Sequence, residues 1–281
     1  MKNKKSFLIT SIIVTILIIF LIIMFVNYKI QMIEDEKLVK LWQDSGMTSI
    51  TYKTPSMFFV YVDLLQNSIL SILMFLPPFI VIIPGLYKIF KIIKSGYIKY
   101  IANFRENYKS FINKEILNCY KYALIVPIIY LIFIIGCGLL TGFDLETSPN
   151  ALGSGAFSIS FNSPFILVLM TFVNLFLADI FYINVGLMTM MKSKNILLNN
   201  VFSYLIIIII SIILELFIGY GLAILTNNYI FANLFNFYNI WYPIDVGNIM
   251  FLSLFLLLLV IVTSIIVFKI YNNEERVISN V

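Results

Sequence analysis

Two acidic residues, Asp179 and Glu215, lie inside long apolar runs and are the residues of this chain best placed to do chemistry. An ionisable group at the middle of a bilayer costs about 2.5–3.5 kcal/mol on insertion scales, so each one is a candidate for function. Asp179 lies 12 residues before Met191, and Glu215 lies 14 residues after Val201. These separations correspond to about 18 and 21 Å of helix, so we expect the two carboxyls at a similar depth.

Asp179 shares its apolar run with three other polar side chains, Asn174, Tyr182 and Asn184. Tyr182 follows Asp179 by three residues, a spacing that places both on one face of a helix. Three interpretations stay open. These side chains hydrogen-bond neighbouring helices together, line a transport path, or bind a proton or cation that drives transport. We prefer the first, a structural polar cluster.

The residue types exclude most catalytic chemistry. The chain has no histidine, which is the commonest general base and metal ligand. Its two cysteines, Cys119 and Cys137, give no basis for a disulfide framework. The phosphate-binding string G-x-x-x-x-G-K-[S/T] does not occur. We therefore predict no catalytic, metal or cofactor site on this chain. If ATP drives the protein, ATP-Mg²⁺ must bind to a partner ATPase.

The elements that carry these residues are apolar runs long enough to cross a membrane. The chain is 61% hydrophobic and 12% charged, about half the charged share of soluble domains. About 20 helical residues span the hydrocarbon core. Six runs meet this length, and they are 7–26, 64–87, 122–141, 164–190, 201–225 and 249–268. The predicted fold is all-α and polytopic, with Pro77, Pro78 and Pro84 bending or breaking the second span.

The distribution of basic residues predicts the orientation. Six alternating spans put 15 of the 19 lysines and arginines on the side of the chain termini. Because cytoplasmic loops carry this excess, both termini are predicted to be cytoplasmic and the protein to lie in the cell membrane. The segment 27–63 is then an outer loop. The pI near 9.0 reflects this bias and predicts no nucleic-acid partner.

The segment 88–121 is predicted to be a cytoplasmic amphipathic helix or helix pair. Its apolar side chains recur at steps of three and four with basic residues between them. The residues that form this pattern are Tyr97, Tyr100, Ile101, Phe104, Arg105, Tyr108, Lys109, Phe111 and Lys114. Two interpretations stay open. The segment lies on the anionic inner leaflet, where each basic residue gains about 1 kcal/mol, or it docks a soluble partner protein.

This arrangement resembles the membrane subunit of type-2 ATP-binding-cassette exporters. The string from Ser95 to Ile101, followed by Arg105, Tyr108, Lys109 and Lys114, is similar to a stretch of small bacterial permeases that export peptides or confer immunity to them. The resemblance implies that 97–117 is a coupling element seated in a groove of a separate ATPase subunit. It also implies a second six-span permease, identical or related, beside this one.

The sequence predicts, first, a subunit of an ATP-driven exporter. Because the spans offer few charges, the expected substrate is hydrophobic or amphipathic, such as a peptide or lipid-like compound. Two alternatives remain. One is an ion-coupled secondary transporter that uses Asp179 and Glu215. The other is a non-transporting immunity or sensor protein.

Overall fold

The computed structural model describes residues 4–46, 77–103, 108–141, 164–229, 231–232, 235 and 249–279, and every regular element within them is helical. The α-helices are α1 (Lys4–Asp44), α2 (Pro77–Lys94), α3 (Tyr97–Asn103), α4 (Tyr108–Tyr120), α5 (Ile125–Thr141), α6 (Pro164–Met190), α7 (Ile196–Ile213), α8 (Tyr220–Thr226), α9 (Ile249–Tyr271) and α10 (Glu274–Ser279). A 3₁₀ turn, Lys121–Leu124, joins α4 to α5, and a π-helical turn, Leu214–Gly219, joins α7 to α8. The predicted all-α class is confirmed for these residues.

Among the described residues, four stretches are by length and composition able to cross a membrane, and they are Tyr108–Gly136, Val168–Met190, Ile196–Thr226 and Met250–Tyr271. They overlap the last four of the six predicted spans. The first of them, Tyr108–Gly136, also includes residues 108–121 of the segment that was predicted to be cytoplasmic. The chain is therefore a helical membrane protein. The first predicted span, 7–26, lies within α1. Residues 64–76 of the second lie outside the described residues.

The first helix is longer than the predicted span. α1 runs for 41 residues, which is about 60 Å and twice the thickness of the hydrocarbon core. Residues 27–44 of the predicted outer loop are therefore helical, and 47–63 lie outside the described residues. No proline or glycine interrupts this stretch before Gly46, whose φ of 97° follows the end of the helix. Lys40 Nζ forms an ion pair with Glu36 Oε1 at 2.8 Å. Its hydrogen bond to this carboxylate raises the pKa of Lys40.

The surface of α7 is typical of a helix that faces lipid. Its buried face carries Asn199, Ser203, Ile207 and Ser211 at steps of four. Both serine hydroxyls donate to carbonyls one turn back, at 2.7 Å to Asn199 and 2.8 Å to Ile207. Its exposed face is built of large apolar side chains, among them Val201, Phe202, Leu205, Ile209, Ile212 and Ile213. A helix in water buries its apolar face, so this reversed pattern indicates a hydrocarbon environment.

Three prolines occur in α2. Pro77 and Pro78 occupy its first turn, where the missing N–H groups have no intrahelical partner to lose. Pro84 lies inside the helix and removes one backbone donor, yet α2 continues to Lys94. α2 is therefore not broken at Pro84, and the bend stays a prediction. The residues before Pro77 lie outside the described residues.

α6 is the central helix of the bundle and contacts α2, α5, α7 and α9. The side chains of 181–187 are all buried. A glycine permits the close approach of α2, because a Cβ on Gly186 would lie 2.5 Å from Leu86 Cδ1 and 3.1 Å from Ile82 Cγ2. Both neighbours are themselves buried, so neither has free space to move into.

We predict that Gly186→Ala destabilises the protein by about 1–3 kcal/mol, because the added methyl overpacks the contact between α2 and α6. The matched control is Gly221→Ala in α8, where an added Cβ meets nothing within 4 Å. That change is expected to be neutral or slightly stabilising, since alanine is the better helix former. Thermal unfolding in detergent measures both. Equal midpoints for the two variants would contradict the packing argument.

Candidate functional site

The predicted polar cluster lies along the buried face of α6. Asn174, Asp179, Tyr182 and Asn184 expose no more than 1% of their surface. Glu215 lies instead in the π-helical turn after α7 and is only partly buried. The structure therefore brings four of the five predicted residues onto one helix in the core and gives the fifth a different environment.

Asn184 joins three helices. Its Oδ1 accepts a hydrogen bond of 2.7 Å from the Tyr120 hydroxyl at the end of α4. Its Nδ2 donates to the hydroxyls of Thr263 and Ser264 on α9, at 3.0 Å each. Each hydrogen bond between membrane helices contributes about 0.6–2 kcal/mol. This contact favours the structural interpretation of the cluster, which stays a prediction.

The other members of the cluster differ in their partners. Asn174 accepts a hydrogen bond of 2.6 Å from the Ser253 hydroxyl, which joins α6 to α9 a second time. Asp179 forms no ion pair with any described residue, and its Oδ2 has no hydrogen-bond partner among them. A buried polar atom without a partner is uncommon and marks a position to examine for function.

A second polar network lies between α6 and α7, and sequence reasoning missed it. The Thr189 hydroxyl bonds to Asn199 Oδ1 at 2.9 Å and lies 2.8 Å from the Ser203 hydroxyl. Ser193 also donates to Asn199 Oδ1, at 3.0 Å, and Asn199 Nδ2 donates to the Gly186 carbonyl at 3.1 Å. The sequence does carry a signal for this network. Thr189 and Ser193 are four residues apart, and Asn199 and Ser203 are also four apart, so each pair lies close together on a helix.

The end of the bundle that carries Lys94, called the basic end below, is stabilised by hydrogen bonds of two tyrosines. Tyr108 at the start of α4 donates to the Tyr271 carbonyl at 2.9 Å, and Tyr271 donates to the Leu187 carbonyl at 2.8 Å. Lys94 at the end of α2 donates to the Met191 carbonyl at 3.1 Å. A cation suits this position because the carbonyls at a helix C-terminus carry partial negative charge.

The predicted docking residues fall into two groups. Tyr97 and Tyr100 on α3 are 55% and 65% exposed, and Lys109 and Lys114 on α4 are exposed as well. Tyr108 is buried in the core and Phe111 is half-buried. Ile101 belongs to α3, but its side chain is outside the described residues, as are Phe104 and Arg105.

An ion pair joins α4 to α2. Lys88 Nζ lies 2.6 Å from Glu115 Oε1, and the carboxylate side chain is only 8% exposed while the lysine is 56% exposed. Cys119, one turn further on, is buried and bonds through its thiol to the Glu115 carbonyl at 3.2 Å. The lysine therefore supplies the countercharge that a nearly buried carboxylate requires.

Comparisons with protein-family models, with curated proteins and with solved structures find no match to this chain. Within the described ranges, no group of three or more histidine, cysteine, aspartate or glutamate side chains is placed to hold a metal ion. The function must therefore be argued from the contacts of the chain itself.

We predict that Lys88→Met lowers the free energy of unfolding by about 1–3 kcal/mol, because it leaves Glu115 nearly buried without its partner. Replacing both residues, Lys88→Met with Glu115→Met, is expected to be less harmful than Lys88→Met alone. The control is Lys91→Met, which removes an exposed lysine from the same helix and should change stability by less than about 0.5 kcal/mol. Equal losses for the two lysine variants, measured by chemical or thermal unfolding in detergent, would contradict this role.

Proposed function

We propose that this chain is the transmembrane subunit of an ATP-driven exporter of the type-2 ATP-binding-cassette kind. In this proposal it has six spans with both termini cytoplasmic, and it pairs with a second six-span permease in the cell membrane. A separate ATPase binds ATP-Mg²⁺ and docks on the segment 97–117. The substrate is hydrophobic or amphipathic, because the described spans offer few charges to recognise a polar solute.

The observation that carries the proposal is the two-faced character of α3 and α4. One face is buried, with Ile98, Ile112 and Ile116 fully covered. The opposite face exposes Tyr97 and Tyr100 beside lysines at the basic end of the bundle. Exposed tyrosines are common anchors of protein interfaces. A segment that transmits movement needs both a free face for the moving partner and a face fixed to the spans.

The proposed mechanism follows from these attachments. Closure of the ATPase subunits around ATP displaces α3 and α4 through their exposed side chains. The hydrogen bonds of Tyr108 and Tyr120 and the Lys88–Glu115 pair then carry the displacement to α2, α6 and α9. Movement of these helices opens the path to the outer side.

The test is co-purification of the chain, expressed in its native host, with its ATPase in mild detergent. We predict that the double variant Tyr97→Asp with Tyr100→Asp lowers the amount of bound ATPase at least about tenfold, since a lost interface anchor costs about 2 kcal/mol or more. The matched control is Tyr229→Asp, a tyrosine that is 69% exposed beyond the end of α8. It should retain the ATPase. An intact wild-type complex that contains no nucleotide-hydrolysing subunit would reject the exporter and favour an immunity or sensor protein.

The second candidate function is ion-coupled transport through Asp179. The observation in its favour is the buried carboxyl with an oxygen that has no partner among the described residues. Proton relays in membranes use buried carboxyls of this kind. The partial exposure of Glu215 speaks against a shared site for the two acidic residues.

Proton entry into proteoliposomes that contain a pH-sensitive dye tests this candidate. If Asp179 and Glu215 carry protons, the variant Asp179→Asn with Glu215→Gln loses the acidification that follows an external acid step. Empty liposomes give the background rate, and the folded state of the variant is checked by its elution in size-exclusion chromatography. Equal acidification by wild type and variant removes ion coupling through these two carboxyls.

A further inference from the structure

We propose that Asn184 is the positioning residue through which a displacement of α4 reaches both α6 and α9. Its amide is the point where side chains from these three helices meet. The inference deepens the proposed function and rests on it only for the force that moves α4. The coupling itself is a property of this chain and is tested without a partner.

The geometry at Asn184 fixes the side chain from both ends. The oxygen accepts from Tyr120, and the two N–H groups donate to Thr263 and Ser264. The Thr263 hydroxyl is itself held, since it donates to the Leu259 carbonyl at 2.8 Å. An amide with its oxygen and both hydrogens engaged cannot rotate without breaking several bonds at once. The three helices therefore move together at this level.

A second connection joins the same three helices nearer the basic end. Tyr108 of α4 bonds to Tyr271 of α9, and the Tyr271 hydroxyl bonds to Leu187 of α6. Two connections at different positions along α4 prevent it from pivoting about either one. A push on the exposed face of α3 and α4 is therefore transmitted to α6 and α9 and is not absorbed by rotation of α4.

The network between α6 and α7 differs in kind. Thr189, Ser193, Asn199 and Ser203 join two helices that are adjacent along the chain and separated by a short connection. Its bonds lie within residues 186–203 and involve no described residue of α4, so the network stabilises the hairpin of α6 and α7. Asn184 instead bonds to residues 64, 79 and 80 positions away in the sequence. These bonds therefore join helices that are far apart along the chain and are not held together by a short connection.

A double-mutant cycle measures the coupling in the purified chain. Tyr120→Phe removes one hydroxyl that bonds to Asn184, and Thr263→Val removes another with little change of shape. We expect the fall in unfolding midpoint of the double variant to be smaller than the sum of the two single falls, because both variants loosen the same amide. Additive falls would overturn the proposal.

The control cycle pairs Tyr120→Phe with Thr171→Val. Thr171 is a fully buried threonine on α6 whose hydroxyl has no hydrogen-bond partner among the described residues. Its effect should add to that of Tyr120→Phe, since it shares no partner with it. Coupling of the same size in both cycles would show a general loosening of the bundle and would also overturn the proposal.

Distances between spin labels show whether the coupling transmits movement in the complex with the ATPase. Both native cysteines are first replaced by alanine. One label pair, Leu117→Cys on α4 and Leu197→Cys on α7, reports the basic end, and both positions are 57% exposed. The other pair, Leu225→Cys and Met250→Cys, reports the far ends of α8 and α9, at positions 83% and 42% exposed.

With Mg-ATP and vanadate, both distances should change in the otherwise wild-type chain. In Asn184→Leu, and more mildly in Tyr120→Phe, the change at the basic end should remain while the change at the far end is lost. An unaltered far-end change in both variants would overturn the proposal. If neither distance responds in the wild type, the ATP-driven function fails, and the double-mutant cycle still decides whether Asn184 couples the helices.

Discussion

The two buried amide side chains Asn174 and Asn184 of α6 bond to hydroxyls of neighbouring helices. At mid-span there is no water to satisfy an amide or hydroxyl, and each one left alone costs several kcal/mol in hydrocarbon. The amides of Asn174 and Asn184 both form hydrogen bonds with hydroxyls of α9, and Asn184 also accepts one from the Tyr120 hydroxyl. These requirements place α9 and α4 against α6, whereas apolar packing alone would allow many rotations of one helix about another. The position of the helices thus depends on a few directional contacts.

The same constraint explains why α7 has its polar residues inside. A serine on a lipid-facing surface can bond only to its own helix, whereas Ser203 on the buried face lies within reach of Thr189 as well. The large apolar residues gain nothing from burial when the solvent is itself apolar, so they occupy the outer face. Small residues also let neighbouring segments approach a helix, as Gly219 does where a Cβ would lie 3.1 Å from Phe235 Cβ. Helix association in this bundle therefore follows polar and small side chains.

The sequence predicted the positions of helices along the chain better than it predicted which helices contact one another. The span 164–190 coincides with α6, because a long apolar run with Asp179 as its one charged residue is preceded by Asn162 and Ser163 and followed by Lys192. The similar depth predicted for Asp179 and Glu215 did not predict their different burial, since depth along a helix says nothing about which side faces the core. The partners of Asn184 lie 64 residues away or more, and periodicity carries no information on which distant helices become neighbours. The helical residues after Val26 were missed because a search for apolar runs stops where charges begin.

The burial of Tyr108 changes how the segment between α2 and α5 is understood. By periodicity it belongs with Tyr97 and Tyr100 as one aromatic stripe, yet its hydroxyl lies against the end of α9 while the other two rings stay exposed. Tyr97 and Tyr100 on α3 thus stay exposed, whereas Tyr108 on α4 attaches that helix to the bundle. α3 has its own contacts with the bundle, to α2 and to α10. Tyrosines of one periodic pattern therefore have opposite roles, because their exposure depends on which distant helices pack against each of them.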